Sequence, residues 1–124
     1  MVRLGSARAK GEGLRIGTVR RPPRGVPKEE FASRDFYDTW LPELSPSQEL
    51  VTKALHAETD EEWRAFERAY RKEMSTPAAR HLIDLLVALS HETDLAVGCY
   101  CEDPARCHRS ILSQLLKDAG ADMA

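Results

Sequence analysis

No run of apolar residues in this 124-residue chain approaches the ~20 needed to cross a bilayer, so a transmembrane helix is not expected. The N-terminus also lacks the apolar stretch of a signal peptide, and the expectation is a cytoplasmic protein without a membrane partner. Cysteine is sparse. Cys99, Cys101 and Cys107 are too few for a disulfide framework and read instead as core, redox or ligand residues. There is no internal repeat and no low-complexity tract. A Walker loop and a dinucleotide fingerprint are both missing, so no cofactor is indicated and the ligand class stays open. His56, His81 and His91 are scattered without metal-ligand spacing and read as surface or cap residues.

What is present fits one domain over residues 1–124. A chain of this length buries roughly two-thirds of its unfolded surface, enough for a single core without staples. The net charge of −2 conceals an asymmetry: residues 1–28 carry eight basic side chains against the single Glu12, a local +7 that leaves −9 for the rest. Residues 1–13 are therefore expected as a flexible basic segment. A basic arm on an acidic body suits a phosphate-bearing small molecule, nucleic acid or an acidic subunit, and it also suits a merely solvated face.

The order of elements is strand, strand, helices, strand, helix. Val2–Ser6 and Leu14–Arg20 are the first strands, and the alternation Leu14, Ile16, Thr18 turns one face of the second inward. Two prolines and Gly25 end it, leaving a loop with Arg20, Arg21 and Arg24 at a strand end. Ser45-Pro46 with Gln48, Thr59 with Glu62, and Thr76-Pro77 each announce a helix start. Trp63, Phe66, Tyr70 and Met74 recur at helical intervals and read as core; Leu82, Leu85, Leu86 and Leu89 do the same on the next helix. Leu95–Cys101 is apolar on both faces, the habit of a central parallel strand, and the last helix is expected over 104–119. The fold class is α/β, a small layered domain with a mainly parallel sheet flanked by helices.

The most informative segment is CYCEDPARCHRS, Cys99 to Ser110, at the strand-to-helix turn. Asp103 supplies a helix cap and Pro104 the residue best tolerated at the first helical position. Unpaired N–H groups there receive anions and favour reactive thiols. The combination of Cys101, Glu102, Pro104 and Cys107-His108-Arg109 resembles the C-terminal signature of the domain-of-unknown-function 488 family. PPRGVPKEEF, WLPELSPSQEL and WRAFERAYRKEM, in that order, resemble its YeaO-like branch. The chain departs from that branch at Thr18-Val19-Arg20-Arg21-Pro22, where an aspartate, arginine and tryptophan are usual. The resemblance implies a fold and brings no established activity.

Four readings of this turn follow. Cys101 or Cys107 acts as a nucleophile or redox thiol, helped by Arg106, His108 or Arg109, as in a sulfurtransferase-like or redox enzyme. Cys99, Cys101, Cys107 and His108 bind zinc; no metal is the expectation, because Cys99 and Cys101 belong to a buried central strand rather than to a tight knuckle, and Cys107 and His108 as helical neighbours would point roughly 100° apart. Third, the edge is a phosphate site for a nucleotide or nucleic acid, with His108 and Arg109 at the helix start, Arg20, Arg21 and Arg24 closing over it, and Glu102 orienting a sugar or base. Last, the residues are structural, in a non-catalytic interaction protein. Ligands of open α/β sheets bind beyond the carboxyl ends of the strands, so a parallel sheet would bring both loops to one edge.

Overall fold

Apolar residues on both sides of Leu95–Cys99 place that strand in the middle of the sheet. In the computed structural model, which describes residues 1–100 and 107–123, four strands run parallel: β1 (Val2–Arg3), β2 (Leu14–Gly17), β3 (Thr39–Trp40) and β4 (Leu95–Cys99). Their order is β1-β4-β2-β3. Ile16 stands opposite Val97, Gly17 opposite Gly98, and Arg3 opposite Cys99. The helices are α1 (Gln48–His56), α2 (Asp60–Glu73), α3 (Pro77–Ser90) and α4 (His108–Asp118). This is the small parallel α/β domain the sequence implies.

Local signals account for the helix starts. The Thr59 hydroxyl accepts from the Glu62 backbone N–H and donates to the Glu62 carboxylate, both at 3.1 Å, which caps the start of α2. Pro77 opens α3. The cap of α1 is Ser47, which accepts from the Leu50 N–H; Ser45, two residues earlier, is buried. Three-dimensional packing follows: Ile16 and Val97 face a core built with Leu44, Leu50, Phe66, Tyr70, Met74, Ile83, Leu86, Ile111, Leu112 and Leu116. A second cluster joins Leu4, Val19 and Tyr37 to Cys99 and Cys107.

Several expectations are corrected. Leu14 is 60 % exposed, while its neighbour Arg15, on the supposed solvent side of the strand, is fully buried. The guanidinium is tolerated because Glu12 and the carbonyls of Ser6 and Asp35 receive its protons at 2.6–2.9 Å. On α3 the buried residues are Ala79, Ile83 and Leu86; Leu85 and Leu89 face outward. The last helix begins at His108, with Cys107 as its extended cap, and Ala119 is exposed. The proposed start at Asp103-Pro104 lies outside the described residues. Within 1–13, Val2–Arg3 join the sheet, and Arg8 reaches Asp35 and Asp38.

Gly98 makes the β1–β4 contact possible. A Cβ there would come within 2.6 Å of the Val2 carbonyl oxygen and 2.8 Å of a Leu4 methyl. Only a residue without a side chain admits so close an approach.

Candidate functional site

β2 and β4 both end at one edge of the sheet, and their continuations meet α4 there. Thr18, just past β2, donates from its backbone N–H to the Gly98 carbonyl at 2.9 Å and from its hydroxyl to the same oxygen at 3.0 Å. Its own carbonyl and hydroxyl oxygens lie 2.7 and 3.1 Å from His108 Nε2. A carbonyl oxygen only accepts, so Nε2 carries a proton; the hydroxyl proton is committed to Gly98, so that oxygen accepts as well. The neutral ring therefore has its lone pair on Nδ1. That nitrogen stands 3.7 Å from Cys107 Sγ.

Cys107 owes this position to its extended backbone, φ −137° and ψ 150°, which keeps it out of the helix that His108 begins. The angular divergence expected of two helical neighbours thus does not apply, while Cys99 does stand on a buried central strand as expected. Cys99, the last residue of β4, completes the cluster: its Sγ is 2.6 Å from that of Cys107. Both residues are buried, at 1 and 2 % exposure. The sulfur and nitrogen donors of Cys99, Cys107 and His108 lie within 4.8 Å of one another. Such a set could hold zinc or copper(I) through two thiolates and an imidazole. Two thiolates on one tetrahedral zinc, each about 2.3 Å from the ion, stand about 3.7 Å apart, so holding one would require the two sulfurs to separate by about 1 Å.

The aromatic stripe of α2 backs this cluster. Tyr70 presents its ring edge to His108 at 5.6 Å and donates its hydroxyl to the Leu44 carbonyl at 2.7 Å. Burial holds the Tyr70 hydroxyl well above its ordinary value, with charge on Cys107, Glu73 and Cys99 acting in the same direction. It is a fixed neutral donor that supports the imidazole from behind.

Cys99, Cys107 and His108 also border a cavity of about 700 Å³, with Phe66 and Tyr100 on its wall and Arg20, Arg21 and Arg24 on its rim. Tyr100 donates its hydroxyl to the Arg21 carbonyl at 3.1 Å, which fastens the arginine loop over the end of β4. Arg20 is half committed to structure, donating to the carbonyls of Ser45 and Pro46 at 3.1 Å. Arg21 donates to the Gln48 side chain at 3.3 Å. Arg24 is exposed, with no hydrogen bond or ion pair among the described residues.

The structure therefore brings Arg20, Arg21 and Arg24 to the same cavity as Cys107 and His108. Arg109 is elsewhere: it is buried and does not line the cavity, and its charge, after burial itself, helps lower the Met1 amine below its ordinary value. Cys101, Glu102 and Arg106 lie outside the described residues. Thr18 and Tyr70 were legible only as core positions; Cys99 was read as a packed or zinc-binding residue. No signal in the linear sequence marks Thr18 as the partner of a histidine 90 positions away.

Among the described residues no helix is long and apolar enough to cross a membrane. No curated protein and no solved structure matches the chain. A family model does match, that of the active DUF488-N3 subclade, over residues 1–120; the likeness to the YeaO-like branch rests on the sequence motifs alone. With nearly its whole length covered by that match, and a parallel α/β fold as the motifs implied, the chain belongs to the DUF488 family.

Proposed function

We propose that this edge is a thiol-dependent active site in which Cys107 attacks an electrophilic centre of a negatively charged small molecule. The observation that carries the proposal is the Thr18–His108–Cys107 chain, which aims the basic nitrogen of an oriented histidine at a sulfur. A nucleophile, a base and a group that orients the base are the parts such catalysis requires. His108 Nδ1 takes the Cys107 thiol proton, and the N-terminus of α4 favours the negative charge left on sulfur. Arg21 and Arg24 would hold the substrate's anionic group. Thiol chemistry of this kind belongs in a reducing compartment, which supports a cytoplasmic location.

A second reading keeps the cavity and removes the covalent step: a phosphate-bearing small molecule or nucleic-acid phosphate is bound by the arginine rim and His108. The near-complete burial of both sulfurs favours it.

One experiment separates the two. In a Cys99→Ser, Cys101→Ser background, Cys107 is alkylated with anionic iodoacetate and neutral iodoacetamide, with and without Arg21→Ala and Arg24→Ala. Thiol catalysis predicts that Cys107 reacts in the folded protein and that the arginine variants slow iodoacetate selectively. Cys107 inert to both reagents, with inorganic phosphate or a nucleotide bound as tightly by Cys107→Ser as by wild type, would leave only the anion site.

A further inference from the structure

We propose that Cys99 is the resolving thiol for Cys107, so that the site reduces small disulfides carrying negative charge; this rests on Cys107 being the attacking group, as proposed above. Cys99 terminates a central strand and Cys107 caps a helix, so each sulfur sits at the end of a regular element. Their separation of 2.6 Å means that any group attached to Cys107 through sulfur meets a second thiol at once. Both residues border the same cavity, large enough for a substrate of drug-like size, with Arg21 and the unengaged Arg24 at its mouth.

The exchange balances without any other reactant. Cys107, its proton passed to His108, attacks one sulfur of R–S–S–R; the S–S bond breaks, and the departing thiolate takes the proton from His108 as R–SH. The product is a mixed disulfide between Cys107 and R. The Cys99 thiol then gives its proton to the neutral imidazole and attacks Cys107 Sγ, expelling the second R–S⁻, which is protonated in turn. One disulfide has been reduced to two thiols, and the protein dithiol has been oxidised to a Cys99–Cys107 disulfide. Return to the dithiol state takes an external dithiol, such as dithiothreitol.

The test uses 5,5′-dithiobis(2-nitrobenzoate), an aryl disulfide with two carboxylates, on the full chain carrying Cys101→Ser. Release of two aryl thiols per chain, no aryl group retained, and a Cys99–Cys107 linkage in peptide mass mapping is the expected result. Adding Cys99→Ser should stop the reaction at one thiol released and one retained on Cys107, and Cys99→Ala should do the same if the serine perturbs folding. Wild-type sulfurs that stop at one released thiol with a stable Cys107 adduct would overturn the resolving role while leaving the attacking thiol intact. Release that persists in Cys107→Ser would overturn the attacking role and this inference together. The neutral reagent 2,2′-dithiodipyridine gives the charge dependence: Arg21→Ala with Arg24→Ala should slow the carboxylate reagent roughly two- to fivefold at low salt and leave the neutral one unchanged. Equal slowing of both reagents would remove anionic disulfides as the substrate class.

Discussion

The Thr18 carbonyl oxygen sits 2.7 Å from His108 Nε2 and so decides which nitrogen of the ring faces Cys107. The anchor is a backbone group, held in turn by the hydrogen bonds of Thr18 to Gly98 between the two central strands. The imidazole orientation is therefore a property of the sheet itself, and it cannot be removed by changing the Thr18 side chain alone.

That distinction is testable with Thr18→Val. The hydroxyl's bonds to Gly98 and His108 are lost, which should cost about 1–3 kcal/mol of stability because the buried Gly98 carbonyl and the His108 Nε2–H each lose one partner. The tautomer should survive, since the carbonyl remains. Thermal melting checks the first, and ¹⁵N chemical shifts of the His108 ring check the second, with Nε2 protonated in both proteins.

Gly98→Ala should be more damaging than its one added carbon suggests. The new Cβ meets a backbone oxygen of β1, which cannot swing aside as a side-chain end can. Overpacking of this kind costs typically about 1–3 kcal/mol. Urea unfolding should show the loss, and hydrogen exchange should show it concentrated in β1 and β4.

Stability should fall on the acid side for an identifiable reason. Arg8 binds Asp38 through two nitrogens at 2.8 and 3.1 Å, and Arg15 binds Glu12 at 2.8 and 2.9 Å; each arginine holds its partner's carboxyl below the ordinary value. A carboxyl depressed in the folded state favours the folded state when ionised. Its contribution is present above about pH 4 and is lost as pH falls through the lower folded value. Urea midpoints measured from pH 6 to pH 2 should drop across that window. Asp38→Asn should be less stable at pH 6 and lose less on acidification.

Much of the architecture could be read from the chain because local and global signals agree. Thr59 with Glu62 and Pro77 mark helix starts chemically, the two-faced apolar strand at Leu95 predicts burial between neighbours, and parallel pairing brings the Arg20–Arg24 loop to the end of β4. What failed were positions decided by long-range partners. Arg15 is buried because carbonyls from Ser6 and Asp35 await it, which no periodicity reveals. β3, two exposed residues long, carries no pattern. At the candidate site, the sequence singled out Cys107, His108 and the arginine loop, which do border one cavity, but it treated Cys107 as helical. Its place as an extended cap depends on where α4 begins, and helix boundaries are weakly encoded.

The most direct test of the Cys107–His108 pairing is the pH–rate profile of Cys107 alkylation by iodoacetamide, measured in a Cys99→Ser, Cys101→Ser background with His108 present or replaced by Gln. Assistance by a positioned base is worth roughly 10²–10⁴-fold in catalysis, and a thiol whose proton passes to His108 should react at least about tenfold faster at neutral pH than one without it. The account predicts that the His108→Gln profile is slower and shifted to higher pH while the melting temperature confirms a folded protein. Superimposable profiles from the two folded proteins would contradict it.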